Sequence, residues 1–226
     1  MAKLLVVTGG SKGIGRAIIE KFAAEGFDIC TCSRAKADFG DLKVKVHHLV
    51  ADMSDKAQVK AFVEFVSSLK RPVDVLVNNA GAFLPGQVID EPEGTLEAMI
   101  EGNLYSAYYM SRGIAPGMRK MKSGHIFNMC SIASIQAYPN GGSYAISKFA
   151  MLGLSKMLRE ELKKDNVRVT AVLPGATLTT SWQGTDFPDE RFMSAEDVAE
   201  TVFSAYSLSK RSVVEEILIR PQLGDI

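Results

Sequence analysis

Two stretches of the chain place a tyrosine four positions ahead of a lysine: YAISK at residues 144–148 and YSLSK at residues 206–210. On a helix this spacing sets both side chains on one face, about one turn apart. A phenol beside an ammonium can donate a proton to a carbonyl oxygen, so each pair is a candidate for the acid step of a carbonyl reduction. The spacing alone does not choose between them, and the elements that carry them must.

Apolar runs recur at 3–7, 28–32, 44–50, 73–78, 125–130, 167–173 and 214–219, separated by turn residues. Between them, apolar residues fall at three- and four-residue intervals, as in Ile14, Ala17, Ile18 and Phe22, or Val59, Phe62, Val63 and Val66. Near-continuous apolar strands alternating with helices imply strands buried on both faces, hence an α/β, doubly wound parallel sheet of seven strands with helices on both faces. No repeat, low-complexity tract or linker interrupts the pattern, so residues 1–226 are expected to form one domain. Ligands of such sheets bind beyond the carboxyl ends of the strands, where the crossover direction reverses. The strand ends are therefore the places to search.

Composition narrows the classes. Lys and Arg total 26 and Asp and Glu total 26, so the net charge is zero and nothing pulls the chain toward nucleic acid or an anionic membrane. The opening MAKLLVVTGG has too short an apolar run for a signal-peptide core or a spanning helix, so a cytoplasmic protein is expected. Cys30, Cys32 and Cys130 lie in apolar runs as buried structural thiols, and His47, His48 and His125 lack partners at zinc-ligand spacing, so no metal site is expected.

The first strand runs into Thr8-Gly9-Gly10-Ser11-Lys12-Gly13-Ile14-Gly15 and then a helix through about Glu25. Glycines in a strand-to-helix turn let the backbone approach a pyrophosphate at the helix N-terminus. The end of the second strand, where a dinucleotide's adenosine ribose would lie, carries Ser33 and Arg34. Arg34 and Lys12 offer two cations and no carboxylate, which favours a 2′-phosphate and hence NADP(H) over NAD(H), with Asp38 the residue that would serve NAD instead.

The G-x-x-x-G-x-G spacing resembles the short-chain dehydrogenase/reductase family, in its compact single-domain branch with a Rossmann fold. The other motifs appear in the family's order from Lys3 to Pro221: Asn78-Asn79-Ala80-Gly81 at the fourth strand end, Ser131 at the fifth, Tyr144 thirteen residues later with Lys148, and Pro174-Gly175 at the sixth. The resemblance implies a catalytic set of Asn103, Ser131, Tyr144 and Lys148. Tyr144 is then the proton donor, Ser131 the clamp on the substrate oxygen and Lys148 the partner of the nicotinamide ribose, with Asn103 completing a water-borne proton relay to Lys148. It also implies cofactor contacts from Gly9, Ser11, Lys12, Gly13, Ile14 and Gly15, from Ser33 and Arg34, from Asn79, Ala80 and Gly81, from Tyr144 and Lys148, and from Pro174, Gly175, Thr177 and Thr179. Asp52 is placed either to accept from the adenine amino group or to open the next helix with Ser54 and Asp55. A nearby ammonium and an oxidised nicotinamide ring are expected to lower the Tyr144 pKa.

Tyr206 has no such companions. It ends a helix begun by Ser194, so it is expected to pack, with Lys210 a solvated cation at the helix end. Ser143 is expected to cap the helix carrying Tyr144. Residues 176–193, with Trp182, Phe187, Pro188 and Phe192, form a candidate flap, and Phe83, Leu84 and Tyr138 a candidate apolar pocket for a small carbonyl or alcohol substrate. By resemblance the apolar faces of Leu96–Met118 and Tyr144–Leu162 would pair copies into a homodimer or homotetramer. The expected activity is NADP(H)-dependent carbonyl–alcohol interconversion. The alternatives are an epimerase or dehydratase using the same Tyr and Lys, or an NADP(H)-binding redox sensor without turnover.

Overall fold

The computed structural model describes residues 2–182 and 185–226. Its strands are Leu4–Thr8 (β1), Asp28–Ser33 (β2), Val46–Val50 (β3), Val75–Asn78 (β4), Gly124–Met129 (β5), Val167–Pro174 (β6) and Glu216–Ile219 (β7). All are parallel, in the order β3-β2-β1-β4-β5-β6-β7. This is the doubly wound, Rossmann-like sheet that the apolar runs imply, with ends displaced by one or two residues.

Alternation along β1 shows why its run is continuous. Leu5 and Val7 pack on one face with Ile18, Phe22, Val198 and Val202, from the helices Gly13–Ala24 (α1) and Ala195–Ser207 (α6). Leu4 and Val6 pack on the other face with Phe62 and Val66 of α2 (Lys56–Ser68) and Met110 and Met118 of a helix in the fourth crossover. Both faces exclude water, so residues 4–7 of β1 are all apolar. The remaining helices are α3 (Thr95–Met99), α4 (Ser106–Met121) and α5 (Gly142–Leu162). Asp55 caps α2, its carboxylate accepting from the Ala57 and Gln58 amides, and Ser194 caps α6 through the Asp197 amide.

Between α3 and α4 the chain does not continue as the regular helix expected there. Residues Ile100–Tyr105 form a π-helical turn, in which Gly102 and Asn103 are both buried. Such wide turns cluster where a helix is bent to aim a side chain.

The second Tyr–Lys pair is not a face of any helix. α6 ends at Ser207, so Lys210 lies beyond it, exposed, with Nζ 3.4 Å from Ser123 Oγ. Tyr206 packs against Phe22, Phe27 and Phe203 at ring-centroid distances of 5.7, 5.4 and 6.0 Å. All three cysteines are buried and free, and desolvation pushes the Cys30 and Cys32 thiols up to about 12. Among the described residues no helix is long and apolar enough to cross a membrane, and no cluster of ligating side chains could hold a metal ion.

His125, near the start of β5, is wholly buried and stacked on Phe127 at 3.9 Å. Thr170 gives its hydroxyl proton to the Val214 carbonyl, so His125 Nε2, 2.7 Å from Thr170 Oγ1, must be the donor. Nδ1 is left buried without a partner among the described residues. Burial, helped by the nearby Arg168 charge, holds His125 well below the usual histidine range. The unfolded chain takes up a proton near pH 6.5 that the folded chain refuses, so stability present above that pH is lost as the pH falls below it. In urea unfolding between pH 7.5 and 5.5, His125→Phe should remove about 1.4 kcal/mol per pH unit of the acid-side slope below about pH 6.5. An unchanged slope would show that His125 is not its source.

Candidate active site

Strand order reverses between β1 and β4, and a cavity of about 890 Å³ opens over the carboxyl ends of the sheet. Of the catalytic and cofactor-contact residues predicted above, every one except Asn103 lines it.

The glycine turn forms its floor. Gly13 adopts a φ of +56°, a region L side chains avoid. A Cβ at Gly15 would strike the Gly9 carbonyl oxygen and come within 2.5 Å of Asn79 Nδ2. No side chain caps α1, so amides of its first turn remain open to an anionic ligand. The pieces of this floor are clasped by Thr8. Its hydroxyl accepts from the Asn79 and Ala80 amides at 3.0 and 2.9 Å, while Asn79 Nδ2 donates to the Thr8 and Gly9 carbonyls. Sequence reasoning passed over Thr8. A hydroxyl as the last residue of a buried apolar strand was the available signal.

At the β2 end, Lys12 and Arg34 are exposed, line the cavity and make no ion pair among the described residues. Asp38, the competing carboxylate, accepts from the Gly40 amide in its own loop and does not line the cavity. Ser33 Oγ donates to the Ala35 carbonyl and lies 2.7 Å from His48 Nε2. Asp52 lines the cavity, yet its carboxylate accepts from both the amide and the hydroxyl of Ser54. The helix cap itself is Asp55.

At the β5 and β6 ends the chemistry-bearing side chains converge. Ser131 follows β5, caps the short helical turn Ile132–Ser134, and exchanges a reciprocal pair of bonds with Ser134. That makes Ser134 a buried brace for Ser131. Burial pushes the Tyr144 phenol above its ordinary range, and a hydrogen bond with Ser131 pulls it part of the way back. The expected lowering by Lys148 is not found. Lys148 Nζ lies 5.7 Å from the phenol ring and donates to the Met129 carbonyl at 2.8 Å, and burial pulls its own pKa down. Two buried ionisable groups are each biased toward neutrality.

Asn103 stands behind this wall with no exposure to water. Its Oδ1 accepts from the Ala82 amide at 2.8 Å, and its Nδ2 donates to the Ala82 carbonyl at 3.0 Å and to Ser147 Oγ at 2.9 Å. Ser147 in turn donates to the Tyr144 carbonyl. The π-helical turn therefore ties the loop after β4 to the helix of Tyr144 and Lys148. Ser143 does not cap that helix as expected. It lies inside the first turn, and its amide and hydroxyl both donate to the Glu91 carboxylate.

Beyond Tyr144 the wall is largely apolar, with Phe83 meeting the phenol edge-on at 4.8 Å and Leu84, Tyr138 and Trp182 lining the space. Gln136 and Asp225 add polar groups that the sequence did not single out. Phe192 packs on Trp182 at 5.2 Å, while Phe187 is exposed and does not line the cavity. The 176–193 segment is pinned at its base by a bridge between Thr177 and Met193, and its residues 183 and 184 lie outside the described residues. Thr177 is buried, with its hydroxyl donating to the Gly175 carbonyl.

Comparisons with known proteins identify the family and support the fold. A family model described as short chain dehydrogenase matches residues 3–190. A sepiapterin reductase of Chlorobaculum tepidum is 35% identical, with 100% of this chain and 99% of the relative covered. The structure of L-sorbose reductase from Gluconobacter frateurii, complexed with NADPH and L-sorbose, superposes with a TM-score of 0.88 at 30% identity, covering 97% and 95% of the two chains. A metagenomic short-chain oxidoreductase in complex with NADP superposes with a TM-score of 0.82 at 30% identity, covering 97% of each chain.

The Asn103 arrangement can be tested without any ligand. Asn103→Leu keeps the volume but removes both bonds to the Ala82 backbone and the bond to the buried Ser147 hydroxyl, and should cost about 1–3 kcal/mol in urea unfolding. A loss below about 0.5 kcal/mol would show that these bonds do not hold the loop.

Proposed function

The chain belongs to the short-chain dehydrogenase family of oxidoreductases, and from that premise we propose that it interconverts a carbonyl and an alcohol with NADP(H). The observation that carries the reading is a phenol and a serine hydroxyl, Tyr144 and Ser131, in the wall of one cavity whose other end has a glycine cradle and two cations without ion pairs among the described residues.

The cradle fits a dinucleotide. Gly15 lets the start of α1 pack closely on the Gly9 carbonyl and Asn79, the uncapped start of α1 suits a pyrophosphate, and Lys12 and Arg34 suit a 2′-phosphate. The reduced nicotinamide, when bound, supplies hydride to the carbonyl carbon. As charge develops on the carbonyl oxygen, Ser131 donates a hydrogen bond to it and Tyr144 transfers its phenolic proton, leaving alcohol and phenolate. Lys148, adjoining the ring, then stabilises that phenolate, and Asn103 holds the surrounding backbone. Burial disfavours the phenolate of Tyr144, so the phenol favours its proton-bearing form, the form that reduction needs.

The substrate end has aromatic and aliphatic walls, and Lys148 is the one cation besides Lys12 and Arg34 among the described residues lining the whole cavity. We therefore assign it an uncharged ketone or aldehyde. The named relatives put sepiapterin and L-sorbose on the test panel beside simple ketones and diketones.

NADPH oxidation followed at 340 nm across that panel should show turnover that Tyr144→Phe lowers by about 10²–10⁴-fold. Equal turnover in the variant would discard Tyr144 as the acid, and tight NADPH binding with no turnover would favour the sensor. Arg34→Asp should shift preference toward NADH, and an unchanged preference would remove Arg34 from cofactor selection. Reduction should hold its kcat/KM through neutral pH and decline as pH rises through the Tyr144 value. A reduction rate that instead increased with pH would contradict an acid role.

A further inference from the structure

α5 carries Tyr144 and Lys148 yet has no cap of its own. Its N-cap is Gly141, which offers no side chain, and its first residue, Gly142, stands at a φ of +35°. The missing acceptor arrives from far along the chain. Glu91, in the loop between β4 and α3, accepts from the Ser143 amide through Oε1 at 2.9 Å and from the Ser143 hydroxyl through Oε2.

The fit of this carboxylate is built rather than incidental. A Cβ at Gly142 would collide with Glu91 Oε1 and lie 2.6 Å from the Gly86 carbonyl oxygen, and a Cβ at Gly86 would lie 2.6 Å from Glu91 Cγ. Gly86 also bridges to Gly141 and donates to the Asn140 carbonyl at 3.1 Å, while the Glu91 amide closes its own turn on Gln87 at 2.8 Å. Residues without side chains thus clear the space that the carboxylate fills. A negative group at a helix N-terminus also meets the positive end of the helix dipole. The same loop begins at the ring of Phe83, which packs edge-on against Tyr144.

We propose that Glu91 is a positioning residue for the Tyr144 chemistry, its carboxylate capping α5 in place of a local cap and fixing the helical turn on which the phenol is carried. The inference rests on the oxidoreductase reading for its kinetic consequence, but the cap itself is readable without turnover. A phenol displaced by about 1 Å from a reacting oxygen costs about 10²-fold in rate, whereas the glycine turn that would hold NADPH belongs to β1 and α1 and is untouched.

The test compares wild type, Glu91→Gln, Glu91→Ala and Ser143→Ala as NADPH complexes. Glu91→Gln keeps an acceptor and the volume, Glu91→Ala removes both, and Ser143→Ala removes only the hydroxyl bond. In Glu91→Ala, hydrogen exchange of the 141–147 amides should speed up at least about tenfold and kcat fall about 10- to 100-fold, with the NADPH Kd within about twofold of wild type. Glu91→Gln should stay within about threefold of wild type in exchange and kcat, and Ser143→Ala should lose several-fold in kcat at unchanged NADPH Kd. Unchanged exchange in Glu91→Ala would overturn the proposal, as would faster exchange with wild-type kcat, or NADPH binding that weakens in step with kcat. Should Glu91→Ala fail to fold, a wild-type kcat in Ser143→Ala would overturn it. A wild-type protein without turnover would sink the oxidoreductase reading instead, and the exchange arm alone would then decide the cap.

Discussion

A parallel sheet covered on both faces has one outlet for polar chemistry, the edge where its strands end. β1 and β4 each turn from apolar to polar within a residue or two, at Thr8 and Asn78, and the helices that follow leave in opposite directions. Everything that can bind or react gathers in that gap. The few polar side chains inside the sheet layer are there to hold it together. Asn78 donates to Ser111 and to Asn128, and Asn128 donates to Ser155, so one buried chain of amides and hydroxyls joins α4, β4, β5 and α5 behind the site. Polar groups so deep are tolerated because nearly all of them find partners.

The same burial that braces the site sets its electrostatics. Desolvation disfavours phenolate and ammonium alike, raising Tyr144 and lowering Lys148. Under the proposed chemistry, a site built this way would gain most from its dipoles when charge appears on a substrate oxygen. The Met129 carbonyl accepts from Lys148 Nζ in the meantime.

Much of this was legible in the residues. The seven strands follow from apolar runs, because strands buried twice must be apolar throughout. The residues around the cavity follow from turn chemistry at strand ends, and the idle second Tyr–Lys pair from the helix that stops before Lys210. What escaped was set by distant partners. The π-helical turn carries Asn103 to the Ala82 backbone, a distant partner that no local pattern encodes. Ser143 looked like a cap because serine before a helix commonly is one, yet the helix begins a residue earlier on glycine and takes its acceptor from Glu91. Lys148 does not lower the Tyr144 pKa as its spacing suggested, because opposite charge can be guessed from spacing while depth of burial cannot.

Cys30 and Cys32 alternate on the inner face of β2 and are held near pKa 12, and burial raises Cys130 as well. At neutral pH such thiols carry almost no thiolate, the form that reacts with alkylating reagents and peroxides. The native chain therefore presents a quiet background for site-directed labelling, on which one cysteine engineered into an exposed loop can carry a fluorophore or spin probe without first removing the three it already has.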